Sequence, residues 1–219
     1  MPHHALLAVA AVAALLLLLR LKDALAGLAA NRRLLVKVGR DALDRQPDSI
    51  ALVKRADGFP LSADARALAE PLIALGFSDC GVHSVDKLPG VLIQVLVQPE
   101  ARVAAFVYEH ARAGRWLELE ARLEGGRSVS AVNRAPTGQP APPFVLRAAS
   151  DPSASPEELY RRLRAALPPS GVVPVDAASV VAQYEEAYRA IVRWRKAEGL
   201  RAAQVAAAAR AEAKRRSGA

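Results

Sequence analysis

The hydrophobic period of the chain changes three times along its length. From Ala5 to Leu19 every residue is Ala, Leu or Val, so a helix there has no polar face. A helix in water keeps a polar face, whereas one that is apolar all round suits lipid, where its backbone groups are satisfied internally. These fifteen residues span about 22 Å at a helical rise of about 1.5 Å, short of a hydrocarbon core of about 30 Å. Leu21 lengthens the segment, and Arg20 and Lys22 snorkel to the interface. The pattern predicts a transmembrane anchor over residues 1–22, followed by a juxtamembrane helix and linker over 23–49. In that second segment Leu25, Leu28, Arg32 and Leu35 share one stripe, and Pro47 ends any helix.

The competing reading is a cleaved signal peptide, with Ala24-Leu25-Ala26 as a small-residue processing site. A signal peptide carries its positive charges before the apolar run, and here they follow it. That inversion favours an uncleaved, single-pass anchor. Arg20, Lys22, Arg32, Arg33, Lys37 and Arg40 all lie after the run, so the positive-inside rule places the N-terminus outside and the following domain in the cytoplasm.

A helical period appears after residue 62. Ser62 is an N-cap with Asp64 in the first turn, Leu68, Leu72 and Leu75 form the apolar stripe, Pro71 predicts a kink and Gly76 a stop. Before it, residues 50–54 read as a short strand closed by Asp57-Gly58.

Alternation then takes over through residue 134. Residues 80–85, 91–98, 102–110, 117–124 and 127–133 read as strands, separated by Lys87-Leu88-Pro89-Gly90, Pro99-Glu100, residues 111–114 and the hairpin pair Gly125-Gly126. Connections this short predict an antiparallel meander of about four or five strands. The six prolines at 136, 140, 142, 143, 152 and 156 predict an extended loop over 135–156, wrapping an edge of the sheet.

The helical period returns at Ser155-Pro156-Glu157-Glu158, a helix start that runs to Leu167 before Pro168-Pro169. A longer helix follows Asp176, with Val180, Val181, Tyr184, Tyr188, Ile191 and Trp194 on its stripe, Glu185 and Arg189 spaced to pair, and Gly199 as stop. The fold class expected is α+β over residues 50–199, a meander with helices on one face, and a basic Ala-rich tail over 200–219.

The formal net charge of +8 is concentrated at the ends: residues 1–49 carry +3, residues 190–219 carry +6, and residues 50–189 carry −1. A near-neutral domain does not support a basic nucleic-acid face. Cations flanking an anchor suit anionic headgroups instead, through Arg20, Lys22, Arg32 and Arg33. One cysteine, Cys80, forms no internal disulfide, so nothing asks for an oxidising compartment.

The candidates for chemistry each have a plainer explanation. Cys80 and His83 lack the further ligands a zinc site needs. Glu109 and His110 are neighbours on a strand and point to opposite faces. His3 and His4 sit at the outer membrane surface. Glu118, Glu120 and Glu124 share a sheet face, but Arg122 among them marks that face as solvated. Trp194 with Arg193, Arg195 and Lys196 mixes aromatic and cation, yet Trp194 continues an apolar stripe; Lys214-Arg215-Arg216 is too short to specify a partner. No catalytic, cofactor or metal residues are assigned. The sequence supports first a membrane-anchored, non-enzymatic interaction module. The alternatives are an enzyme with scattered residues, and contact of the basic tail with anionic lipid or nucleic acid.

Overall fold

The computed structural model describes residues 33–198, apart from 35, 42, 57, 58, 60, 112 and 136–140. The expected anchor, the cations Arg20, Lys22 and Arg32, the Asp57-Gly58 turn, the Gly199 stop and the basic tail lie outside the described residues. Among the described residues no helix is long and apolar enough to cross a membrane. The chain divides into two compact units, one of residues 1–45 with 199–219 and one of Gln46–Glu198. In the first, the described part of residues 33–44 is helical, with Leu34 and Val38 exposed and Leu43 buried.

The second unit is α+β, built on a seven-stranded sheet whose spatial order follows the chain order. The strands are β1 (Leu52–Lys54), β2 (Ser78–Val85), β3 (Val91–Gln98), β4 (Val103–His110), β5 (Gly114–Leu123), β6 (Arg127–Val132) and β7 (Val145–Ser150). The helices are α1 (Ala63–Ala74), α2 (Pro156–Ala166) and α3 (Val180–Glu198). Strands β2 to β6 form the antiparallel meander that alternation and short turns predict, and β1 pairs antiparallel with β2 across the α1 connection. At the β5–β6 hairpin Gly125 and Gly126 have φ of 74° and 75°, a left-handed geometry that L side chains resist.

The proline-rich stretch departs from expectation. Instead of remaining loop throughout, it contributes β7, which pairs in parallel with β6. The strand occupies a proline-free interval, from Val145 to Ser150, where every backbone N–H is available to a ladder. The sheet thus has more strands than the meander alone, and its last strand runs against the predicted pattern.

Helices also cover both faces rather than one. On one face Leu96, Val107, Leu117, Leu119 and Val129 pack with Leu72 of α1 and with Leu159 and Leu163 of α2, all of them fully or almost fully buried. Each such leucine contributes about 1.5–3 kcal/mol of transfer free energy. Ser62 caps α1 by accepting from Ala65 N–H, and Ser155 caps α2 by accepting from Glu158 N–H, as their positions in the sequence predict. On the other face Ile93, Val95, Phe106 and Tyr108 meet Val180, Val181, Tyr184 and Tyr188 of α3. Asp176 Oδ1 accepts from the N–H groups of Ala178 and Ser179 in the turn that leads into α3. Glu185 meets the Arg189 side chain through its backbone carbonyl, which accepts from Arg189 Nε at 3.5 Å. Its Oε1 accepts from Leu52 N–H at 2.8 Å, tying α3 to the edge strand β1.

Candidate functional site

Strand β5 sets up the site. Its odd positions, Leu117, Leu119, Ala121 and Leu123, enter the core under α1 and α2. The pleat sends its even positions, Trp116, Glu118, Glu120 and Arg122, to the opposite face. That face was read as solvated, and the structure corrects this for Glu118 and Glu120. Both line a cavity of about 530 Å³ between the sheet and α3, whereas Glu124 lies past the strand end and is exposed. The volume falls within the range of about 300–1,000 Å³ common for small-molecule sites.

The cavity exists because α3 meets this face through long side chains. Tyr184 packs on Phe106 with ring centroids 4.7 Å apart and receives a hydrogen bond from the Tyr108 hydroxyl at 3.2 Å. Further along, Lys196 Nζ pairs with Asp48 at 2.6 Å. Small residues supply the roof and floor between these posts, Ala187 from α3 and Ser128 and Ser130 from β6. Small residues facing one another across two layers leave space.

One wall is a stack of cross-strand neighbours. Tyr108 of β4 lies opposite Trp116 of β5, with rings 4.5 Å apart and 9° from parallel. The Arg134 guanidinium lies over the Trp116 ring at 4.5 Å from its centroid. The β5–β6 register, in which Glu118 faces Val132, puts Arg134 on the side of Trp116 away from Tyr108. Both faces of the indole are therefore occupied, and the stack is a rigid wall rather than an open platform.

The charged groups divide into compensated and uncompensated ones. Arg147 Nη1 pairs with Glu118 Oε1 at 3.0 Å. Arg122 turns toward α3, donating to the Gln183 carbonyl at 3.4 Å and lying 3.8 Å from Glu186. Glu120 forms no ion pair among the described residues, since its neighbours Arg122 and Arg147 are turned to other partners. Burial, and then the neighbouring Glu118 carboxylate, push it from an ordinary 4.5 up to about 7, against the opposing pull of Arg122, Ser128 and Arg147. Arg195 carries the opposite deficit. Its Nε is buried without a hydrogen-bond partner, and burial lowers its pKa, although a guanidinium stays charged. Ser130, 2% exposed, also has an unpartnered hydroxyl oxygen. Burial raises the Tyr108 and Tyr184 phenols, so both stay protonated at neutral pH.

The other candidates lie apart from this cavity. Glu109 Oε2 accepts from Ser62 N–H at the start of α1, while His110 Nδ1 accepts from Ala113 N–H in the β4–β5 turn, so the two do different work. His83 is buried with Nδ1 3.1 Å from the Gly81 carbonyl, and burial lowers its pKa. Burial raises the Cys80 thiol, which borders a second cavity of about 440 Å³ with Lys54, Asp79 and Gln94. There Gln94 Nε2 donates to Asp79 Oδ2 at 2.8 Å, and Gly81 N–H donates to Asp79 Oδ1 at 2.7 Å. Among the described residues no group of three or more His, Cys, Asp or Glu is placed to hold a metal ion. Trp194 is half-buried and lies outside the lining of the larger cavity.

No family model, curated protein or solved structure matches the chain. Fold and site therefore speak only for themselves.

Sequence reasoning missed Ser128, Ser130, Arg134 and Arg147, and it gave Arg195 no inward role. A signal was present. The stripe Tyr184, Tyr188, Ile191 on α3 needs a surface to cover, and the leucine face of β5 was already allotted to the other helices. The even face of β5 with the serines of β6 was the surface remaining.

Proposed function

We propose that this chain is a membrane-tethered binding module, in which the apolar run from Ala5 to Leu19 anchors a domain that receives a small organic molecule under α3. The observation that carries the binding part is the 530 Å³ cavity lined by uncompensated polar groups, with Ser130 Oγ and Arg195 Nε unpartnered. A packing defect in a core is lined by apolar groups, because a buried polar atom without a partner costs about 1–3 kcal/mol. The anchor and its orientation rest on the apolar run and on the cations that follow it.

The test uses the full-length chain in detergent micelles, with a fragment set titrated in while the Trp116 indole N–H and Ser130 amide signals are followed by NMR. Fragments that move both signals together support the binding reading. A set that moves neither, while Ala187→Phe fills the cavity and raises the unfolding temperature, would show a void and no site. The membrane reading is tested with sealed right-side-out vesicles carrying a C-terminal tag. Protection of the full-length chain until lysis is expected; digestion before lysis overturns the orientation, and a mass short by about 26 residues revives signal cleavage.

A second reading, an acid–base enzyme, is favoured by Glu120 alone, since a carboxyl at about 7 both gives and takes protons near neutrality. Turnover separates the two readings: an enzyme converts a bound fragment and Glu120→Gln abolishes that conversion, whereas a pure binder returns every ligand unchanged.

A further inference from the structure

The cavity holds two unmet demands of opposite sign. Arg195 is a half-buried cation whose buried Nε donor has no hydrogen-bond partner among the described residues, and it lines the same space as Glu120. Glu120 is a carboxyl whose nearest cations are committed elsewhere, Arg147 to Glu118 and Arg122 to Gln183 and Glu186. Arg195 and Glu120 come from different layers, α3 and β5, and both open onto the space between them. An anion alone would satisfy Arg195 and leave a carboxyl repelling it. An amine alone would satisfy Glu120 and leave the guanidinium bare.

We propose that the cavity receives an amphoteric small molecule of the amino-acid class, its acidic group held by Arg195 and its protonated amine by Glu120. This deepens the binding reading and rests on it. The apolar part of the ligand faces Val132, Ala187, Ile191 and Val192, which line the same space. Ser130 Oγ, unpartnered in the floor, supplies one further hydrogen bond. Guanidinium–carboxylate pairing is directional, and in a site shielded from water it is stronger than at a surface.

Binding of the amine must change the protonation of Glu120. The groups around Glu120 are Glu118 and Arg122 on β5, Tyr108 on β4, Ser128 on β6, Arg147 on β7 and Tyr184 on α3. With its carboxyl at about 7, Glu120 is about half protonated at pH 7, and an ammonium beside it drives off that proton. An anion placed there would draw a proton in. The sign of the proton exchange therefore reports which group of the ligand meets Glu120.

The experiment is calorimetric titration of the full-length chain in micelles at pH 7, in two buffers of different ionisation enthalpy. The probes are phenylalanine and 4-(aminomethyl)benzoate as amphoteric compounds with adjacent and separated charges, and benzoate and benzylamine as single-charge analogues. The expected result is that at least one amphoteric probe binds about tenfold or more tighter than both analogues. Its binding should release about half a proton. Glu120→Gln should abolish the proton release, and Arg195→Gln should weaken the amphoteric probe while leaving benzylamine unchanged. Benzoate or benzylamine binding as tightly as the amphoteric probes overturns the proposal and leaves the binding reading standing. Proton uptake with the amphoteric probes also overturns it. Failure of all four to bind, with the Trp116 and Ser130 signals unmoved, counts against both.

Discussion

The two faces of β5 come from the same ten residues and have opposite characters. The odd face, Leu117, Leu119, Ala121 and Leu123, joins a core of aliphatic side chains that α1 and α2 seal. The even face, Trp116, Glu118, Glu120 and Arg122, is covered too, but by a helix held off on tyrosines with space beneath it. Alternation of apolar and polar residues usually separates inside from outside. Here it separates a dry interior from a polar chamber, and the glutamates are the signature of the second. The cost of placing them there is the functional clue, since folding alone would be served better by apolar residues.

The sharpest way to break this contrast is to truncate each face in turn. Leu119→Ala, at a fully buried site on the dry face, should cost about 2–5 kcal/mol in urea unfolding of the full-length chain. A loss below about 1 kcal/mol would mean that face is not close-packed.

The next largest effect has the opposite sign. Glu120 has a folded-state value of about 7 against an ordinary 4.5, so between those values the folded chain holds more protons than the unfolded one, and stability falls as pH rises through that window. Glu120→Gln removes the dependence. The variant should match the wild type near pH 4.5 and exceed it by about 2–3 kcal/mol at pH 8, the difference growing between. A difference that is flat with pH would place Glu120 in water.

The smallest effect sits at the rim. Asp48 of the Lys196–Asp48 pair is 83% exposed, so Lys196→Ala should change stability by less than about 1 kcal/mol. Any loss should shrink further in high salt. A larger, salt-insensitive loss would make this contact a structural post of the chamber.

Much of this architecture is legible in the sequence. Six of the seven strands follow from alternation punctuated by Gly and Pro, because turn chemistry is local. The Ser62 and Ser155 caps are legible for the same reason. What escapes is whatever depends on the third dimension. Nothing local says that Val145 will pair in parallel with Ser128, because that contact closes over a proline-rich excursion. Nothing local says which helix covers Glu118 and Glu120. The presence of Arg122 beside them suggested solvent, yet Arg122 reaches up to the α3 backbone and helps hold the covering helix in place. The candidate site was therefore visible as residues and invisible as a place.

Glu120 faces the chamber between β5 and α3, where burial sets its titration. Carbon-13 titration of the glutamate side-chain carboxyls in the full-length chain, with Glu120 assigned by its loss in Glu120→Gln, tests this directly. A midpoint near 7 is expected. A midpoint near 4.5 would return that face of β5 to solvent and remove the chamber from the account.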